Sequence, residues 1–285
     1  MTILFDGIAS GLLLFLISVG LSVTLGLMNF VNLAHGAFAM LGGYVCVLLL
    51  GRMGVPFLAT LPVVVVVSAL AGVVLERTLY RRLYGASHLD QVLFSIGLVF
   101  MSISTANYFF GAQQQPLQLP DYLRGQWSLP GIDIGVYRLF LVVVGLVVAA
   151  GLQWMLAHTR FGAKLRASVD NPRAARGLGI DVDRVFMLAF ALGSALAGLG
   201  GALGVDVLGM DPEFPVKYLV YFLIVVAVGG SGNIKGSLYA ALLIGIADVA
   251  GKYYFPQIGA FVIYAVMVVT LIFRPQGLFG RTAAK

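Results

Sequence analysis

RFGAKLRASVDNPRAARGLGIDVDR, residues 160–184, is the longest charge-dense stretch of a chain that is otherwise almost entirely apolar. Six of the chain's 18 Lys+Arg fall within it: Arg160, Lys164, Arg166, Arg173, Arg176 and Arg184. Long hydrocarbon runs flank it on both sides. It therefore lies in water between two membrane spans, and its positive charge assigns that water to the cytoplasmic side. The stretch also has internal order. Ala163, Leu165, Ala167 and Val169 mix with cationic positions, Asn171-Pro172 interrupts the run, and Ala174, Ala175 and Leu178 follow before Gly179. This pattern predicts two short helices joined at Asn-Pro, since a proline is tolerated in the first turn of a helix. A plain solvated loop whose arginines only fix topology is the simpler alternative. Such a loop needs neither an apolar face nor paired stop signals, so the stretch reads as a docking element for a cytoplasmic partner.

Working outward, the 285 residues are 60% hydrophobic and 11% charged. Soluble domains carry about 25% charged residues, so the composition is that of an integral membrane protein. The 36 glycines agree, because small residues let membrane helices approach closely. The net charge of +6 does not point to nucleic acid, because the cations cluster at the ends of apolar runs, as the positive-inside rule requires. One cysteine, Cys46, excludes an intrachain disulfide. The opening MTILFDGIAS has no cationic n-region and is expected to be a permanent span rather than a removable signal.

In chain order, apolar runs predict about nine spans, near 7–28, 36–50, 57–80, 89–110, 137–157, 185–205, 217–228, 237–250 and 259–273. Between Asp6 and Arg52 there is no charged residue, yet one helix of that length would be about twice the hydrocarbon thickness. The break must fall in NFVNLAHG, residues 29–36, where Asn29, Asn32, His35 and Gly36 gather. Two readings stand level: a short cytoplasmic turn, or an intramembrane interruption lining a cavity. Residues 111–136, with Gln113 to Gln115 and three prolines, form an outer loop. Hydroxyl residues in span four (Ser95, Ser102, Ser104, Thr105) are expected as glue between helices. In span six, Ser194, Gly198, Gly200 and Gly204 leave one face nearly bare, as a tight helix contact or a path lining, the contact being favoured. Asp248 and Lys252, four apart, are expected to pair. The inside placement of residues 81–82 and 160–184 puts the N-terminus outside and the C-terminus inside.

Several chemistries are excluded. No Gly-x-x-x-x-Gly-Lys-Ser/Thr occurs, so the chain has no P-loop of its own. His35, His88 and His158 fall in separate segments without ligand partners at metal-binding spacing, so no metal site is expected. Gly229-Gly-Ser231-Gly has the form of an intramembrane serine protease motif, but no histidine follows it to act as base. No catalytic residue is assigned.

A set of motifs spread over the chain then resembles one family. They are GLMNFVNLAHG at 26–36; Gly162 with Arg166-Ala167 and Asp170-Asn171-Pro172; Ala174-Ala175 with Gly179-Ile180; residues 195–201; Gly229-Gly-x-Gly-Asn233 with Gly236; and RPQGLFG at 274–280. In this order they resemble the permeases of high-affinity branched-chain amino acid ABC importers, the LivH/LivM family, with the LivH-type subunit the nearer. The resemblance implies a single transmembrane permease domain, 1–285, of the type II-like importer class in a bacterial inner membrane. It implies a LivM-type second permease, two cytoplasmic ATP-binding subunits and an external solute-binding protein as partners, with no cofactor on this chain. Residues 158–184 would be the coupling segment, with Arg160, Gly162, Arg166, Asp170, Asn171, Pro172, Ala174, Ala175, Gly179 and Ile180 meeting the ATPase. Asn29, Asn32, His35 and Gly36 would lie on the translocation path. The family also includes permeases for urea and short amides.

Overall fold

The computed structural model describes residues 2–28, 30, 32–129, 132–230 and 232–279. It is an all-α polytopic arrangement: α1 (Thr2–Met28), α2 (His35–Val47, continued by a π-helical turn, Leu48–Arg52), α3 (Phe57–Thr78), α4 (His88–Phe110), α5 (Val136–His158), α6 (Arg160–Asp170), α7 (Pro172–Gly177), α8 (Val182–Leu208), α9 (Phe214–Lys217), α10 (Leu219–Gly229), α11 (Ile234–Tyr254) and α12 (Val262–Phe273). Among the described residues, seven helices have the length and apolarity to cross a membrane: α1, α2 with its extension, α3, α4, α5, α8 and α11. Phe214–Gly229 and Gly259–Phe273 are shorter apolar helical stretches.

Burial sorts these helices into a centre and a rim. A helix that is apolar all round has no face to offer water, so it packs inside. That holds for α1, where Leu12, Leu13, Phe15, Ile17 and Val19 are all buried. The other central helix, α8, packs by a different device. Its small residues let backbones touch: a side chain at Gly42 of α2 would strike the Gly198 backbone, one at Gly201 would strike the Ala39 backbone of α2, and one at Gly198 would strike Ser68 of α3. The bare face of span six is therefore a helix contact. On the rim, Val63, Val66, Leu70 and Val74 make an exposed stripe along α3, and Leu93, Ile96 and Phe100 one along α4. Continuous exposed hydrocarbon of this kind belongs in lipid, and the chain is a multi-pass membrane protein.

Three details differ from or extend the sequence reading. The hydroxyls of Ser95, Ser102 and Thr105 donate to carbonyls of their own helix, at Val92, Val99 and Met101, rather than joining two helices. A helical hydroxyl reaches back one turn more readily than across an interface. The loop between α4 and α5 contains a hairpin, β1 (Gln126–Leu129) paired antiparallel with β2 (Ile132–Gly135), which the sequence reading does not include. At the other end, the Leu278 N–H donates to the Val228 carbonyl at 2.7 Å and Asn233 Nδ2 to the Phe279 carbonyl at 3.0 Å, so the tail motif closes over the glycine turn. Ser231 of that turn lies outside the described residues. Asp248 and Lys252 pair at 2.7 Å as expected, with the Tyr221 hydroxyl also donating to Asp248 at 3.2 Å.

Candidate functional site: a basic helix pair and a polar helix break

The basic stretch folds as two helices that leave the end of α5. The Thr159 hydroxyl caps α6 by accepting from the Gly162 N–H at 3.2 Å. Gly162 is buried against the backbone of Leu156, a contact that admits no side chain. Leu165 follows on the same face at helical spacing and packs on Val23 of α1 and Val185 and Ala189 of α8. The Arg166 guanidinium donates to the Leu156 carbonyl, one of the last of α5 and otherwise without a helical partner. Arg160, Lys164, Asp170 and Asn171 face outward.

The second helix has clear signals at both ends. The Asn171 side chain accepts from the Ala174 N–H at 3.0 Å, and Pro172 occupies the first turn. At its close Gly179 takes φ +79°, and the Ile180 N–H reaches back to the Ala175 carbonyl at 3.0 Å. That is a Schellman closure, which needs a left-handed residue where Gly179 stands. Ala175 turns inward, Pro172 and Ala174 outward, and Leu178 stands 81% exposed at the tip. In the sequence Leu178 stands only as one member of an apolar face. In the fold it is the segment's one large apolar side chain left exposed.

The polar break is a separate cluster. Asn29 lies outside the described residues; Asn32, His35 and Gly36 are brought together, and all three are buried. Asn32 Oδ1 accepts two hydrogen bonds, from the Ala34 N–H at 3.1 Å and from the Tyr80 hydroxyl at 2.9 Å. His35 Nε2 donates to the Ile17 carbonyl at 2.7 Å, which fixes the proton on that nitrogen. Ile17 sits mid-way along α1, roughly 16 Å of helix before Met28 at 1.5 Å per residue. The second helix thus starts beside the middle of the first, and the connection is set back into the bundle. Gly36 lies against the backbone of Pro215, at the start of the short α9–α10 pair.

Tyr80 is the residue of this cluster that the sequence reading missed, having counted it as the end of a span. It is fully buried in the 3-10 turn Tyr80–Leu83, among the rings of Phe30 (5.2 Å), Phe94 (5.4 Å) and Phe190 (4.7 Å). Burial lifts its phenol above the usual range, so the hydroxyl keeps its proton and remains a donor. Its aromatic character beside a basic run was the only local signal. Next to the break is an apolar cavity of about 330 Å³ lined by Ala34, Ala37, Phe38, Tyr44, Tyr80 and Thr105 among others.

The comparisons with known proteins follow the same outline. Residues 3–271 match the family described as "Branched-chain amino acid transport system / permease component". The chain is 29% identical to the high-affinity branched-chain amino acid transport system permease protein BraD of Pseudomonas aeruginosa, over 98% of this chain and 95% of that protein. It is 26% identical to LivH, the permease protein of the corresponding system of Escherichia coli K12, over 98% and 94% of the two chains. It is 28% identical to the probable branched-chain amino acid transport permease protein LivH of Methanocaldococcus jannaschii, over 94% and 89%. No solved structure matches significantly. On the match over nearly its whole length, the chain belongs to the family of branched-chain amino acid transport system permease components.

Proposed function

We propose that this chain is the LivH-type translocation subunit of an ATP-driven importer for leucine, isoleucine and valine. It pairs with a LivM-type permease, two cytoplasmic ATP-binding subunits and an external solute-binding protein. ATP is bound and hydrolysed by those partners, and this chain needs no cofactor. The observation that carries the reading is the basic helix pair α6–α7, capped at each end and presenting Leu178 and several arginines, on a body otherwise made for lipid. A rigid, exposed helical element of this kind supports docking to another protein rather than a flexible connection.

In this reading Phe214–Gly229 and Gly259–Phe273 complete nine spans of a type II-like permease, with the N-terminus outside and the C-terminus in the cytoplasm. Closure of the ATPase pair pushes α6–α7, and the bundle alternates between outward- and inward-open states by rigid shifts of its helices. The break at Asn29, Asn32, His35 and Gly36 borders the path, where weak contacts suffice because the external protein selects the solute. The test is affinity purification of the tagged chain in mild detergent. Co-purification of an ATPase subunit, and leucine uptake by the reconstituted set but not by this chain alone, are expected. Leucine flux through the isolated chain in liposomes would overturn the proposal.

A further inference from the structure

We infer that Tyr80 and Arg81 are positioning residues that carry movement of the basic helix pair to the polar break. The inference rests on the reading of α6–α7 as the ATPase-coupling element and adds the route by which a push there reaches the membrane interior. The break has two flanks, and each is tied to that element. Upstream, Val23 near the end of α1 shares one buried apolar cluster with Leu165 of α6. Downstream, the tie is polar. Arg176 Nη2 of α7 donates to Asp183 Oδ1 at 3.0 Å, and the other oxygen of the same carboxylate accepts from Arg81. Arg81 is the chain neighbour of Tyr80, whose hydroxyl holds Asn32 Oδ1 at 2.9 Å.

The two ends of this route differ in character. The Asp183 pairs are solvent-exposed and add little to stability on their own. What they set is the distance between α7 and the 3-10 turn. Beyond Arg81 the route enters buried surroundings, with Tyr80 held among three aromatic rings and bordering the apolar cavity beside the break. Packed interiors shift between discrete arrangements rather than stretch, so a displaced turn moves the Tyr80 ring and hydroxyl together. The turn is also braced from α3, since the buried Glu76 carboxylate accepts from the Tyr84 hydroxyl at 2.9 Å. A push on α7 therefore arrives at Asn32 through one short, stiff segment.

The test uses the complete importer, co-purified with its own ATPase and partner permease and reconstituted with its binding protein, with leucine as the probe. The readout is ATP hydrolysed per leucine accumulated. Tyr80→Phe keeps the packed ring and removes only the hydroxyl; Arg81→Gln alters an exposed side chain. Each is expected to raise the ratio at least about fivefold, the low end of coupling between distant sites. The double variant should go no further than the larger single effect, as two links of one route do. A merely structural role would lower the yield of complex and leave the ratio unchanged. Asn171→Ala serves as comparator, because it touches the coupling element and neither Tyr80 nor Arg81. If it raises the ratio while Tyr80→Phe and Arg81→Gln do not, the route is wrong and the coupling reading stands. If none of the three raises it, the coupling reading fails and takes the route with it. Additive effects of Tyr80→Phe and Arg81→Gln would also overturn a single route.

Discussion

Asn32 shows how one amide can hold an interruption inside an apolar bundle. Its oxygen satisfies a backbone N–H freed by the break and a tyrosine hydroxyl from another helix end, and the side chain is fully buried. Replacing it by leucine would leave both donors unpaired in a buried place. Such orphaned donors cost about 1–3 kcal/mol, and a leucine of similar size does not offset that loss. Asn32→Leu is therefore expected to lower the unfolding free energy of the purified chain in detergent by about that amount. The matching double variant with Tyr80→Phe should recover part of it, since removing both partners costs less than removing one. A denaturation series in which Asn32→Leu is as stable as the parent would show that the amide holds nothing. The residue itself was legible in the sequence, because an amide amid hydrocarbon stands out. Its partner was not, because Tyr80 lies 48 positions away and only the fold brings the two together.

At the scale of elements, local chemistry was readable and distant pairing was not. The bounds of α6 and α7 follow from Thr159, Asn171-Pro172 and Gly179, each acting within four residues of itself. The hairpin in the loop between α4 and α5 escaped, although Trp-Ser-Leu and Ile-Asp-Ile alternate around Pro-Gly, because the proline and glutamine content of its surroundings dominated. The link from Arg81 to Asp183 spans 102 positions, beyond any local pattern. What α6–α7 offers a partner can be tested on its most exposed apolar side chain. Leu178→Asp puts a charge where a docked surface would exclude water. Because the side chain touches little of its own chain, stability should stay within about 0.5 kcal/mol of the parent. Recovery of the ATPase subunit with the tagged chain should fall at least about tenfold, a loss of 1.4 kcal/mol or more at a desolvated contact. Undiminished recovery would move the docking surface elsewhere on the chain.

For the whole molecule, the proposed transport depends on the two polar regions lying on opposite sides of the membrane. The basic pair α6–α7 and the loop with the β1–β2 hairpin sit at opposite ends of α5, a 23-residue helix long enough to cross the hydrocarbon layer. If the helix pair meets a cytoplasmic ATPase, the hairpin loop must face outward. The chain permits a clean measurement because its one cysteine, Cys46, is buried. Single cysteines can thus be introduced at Leu178, 81% exposed, and Tyr122, 56% exposed, without removing a native thiol. A membrane-impermeant maleimide applied to intact cells, stripped of any outer barrier, should label Tyr122→Cys and spare Leu178→Cys. Opening the membrane should then label Leu178→Cys as strongly as the other. The reverse pattern would put the arginines outside, contrary to the positive-inside rule, and an ATPase driving from the cytoplasm would have nothing to hold.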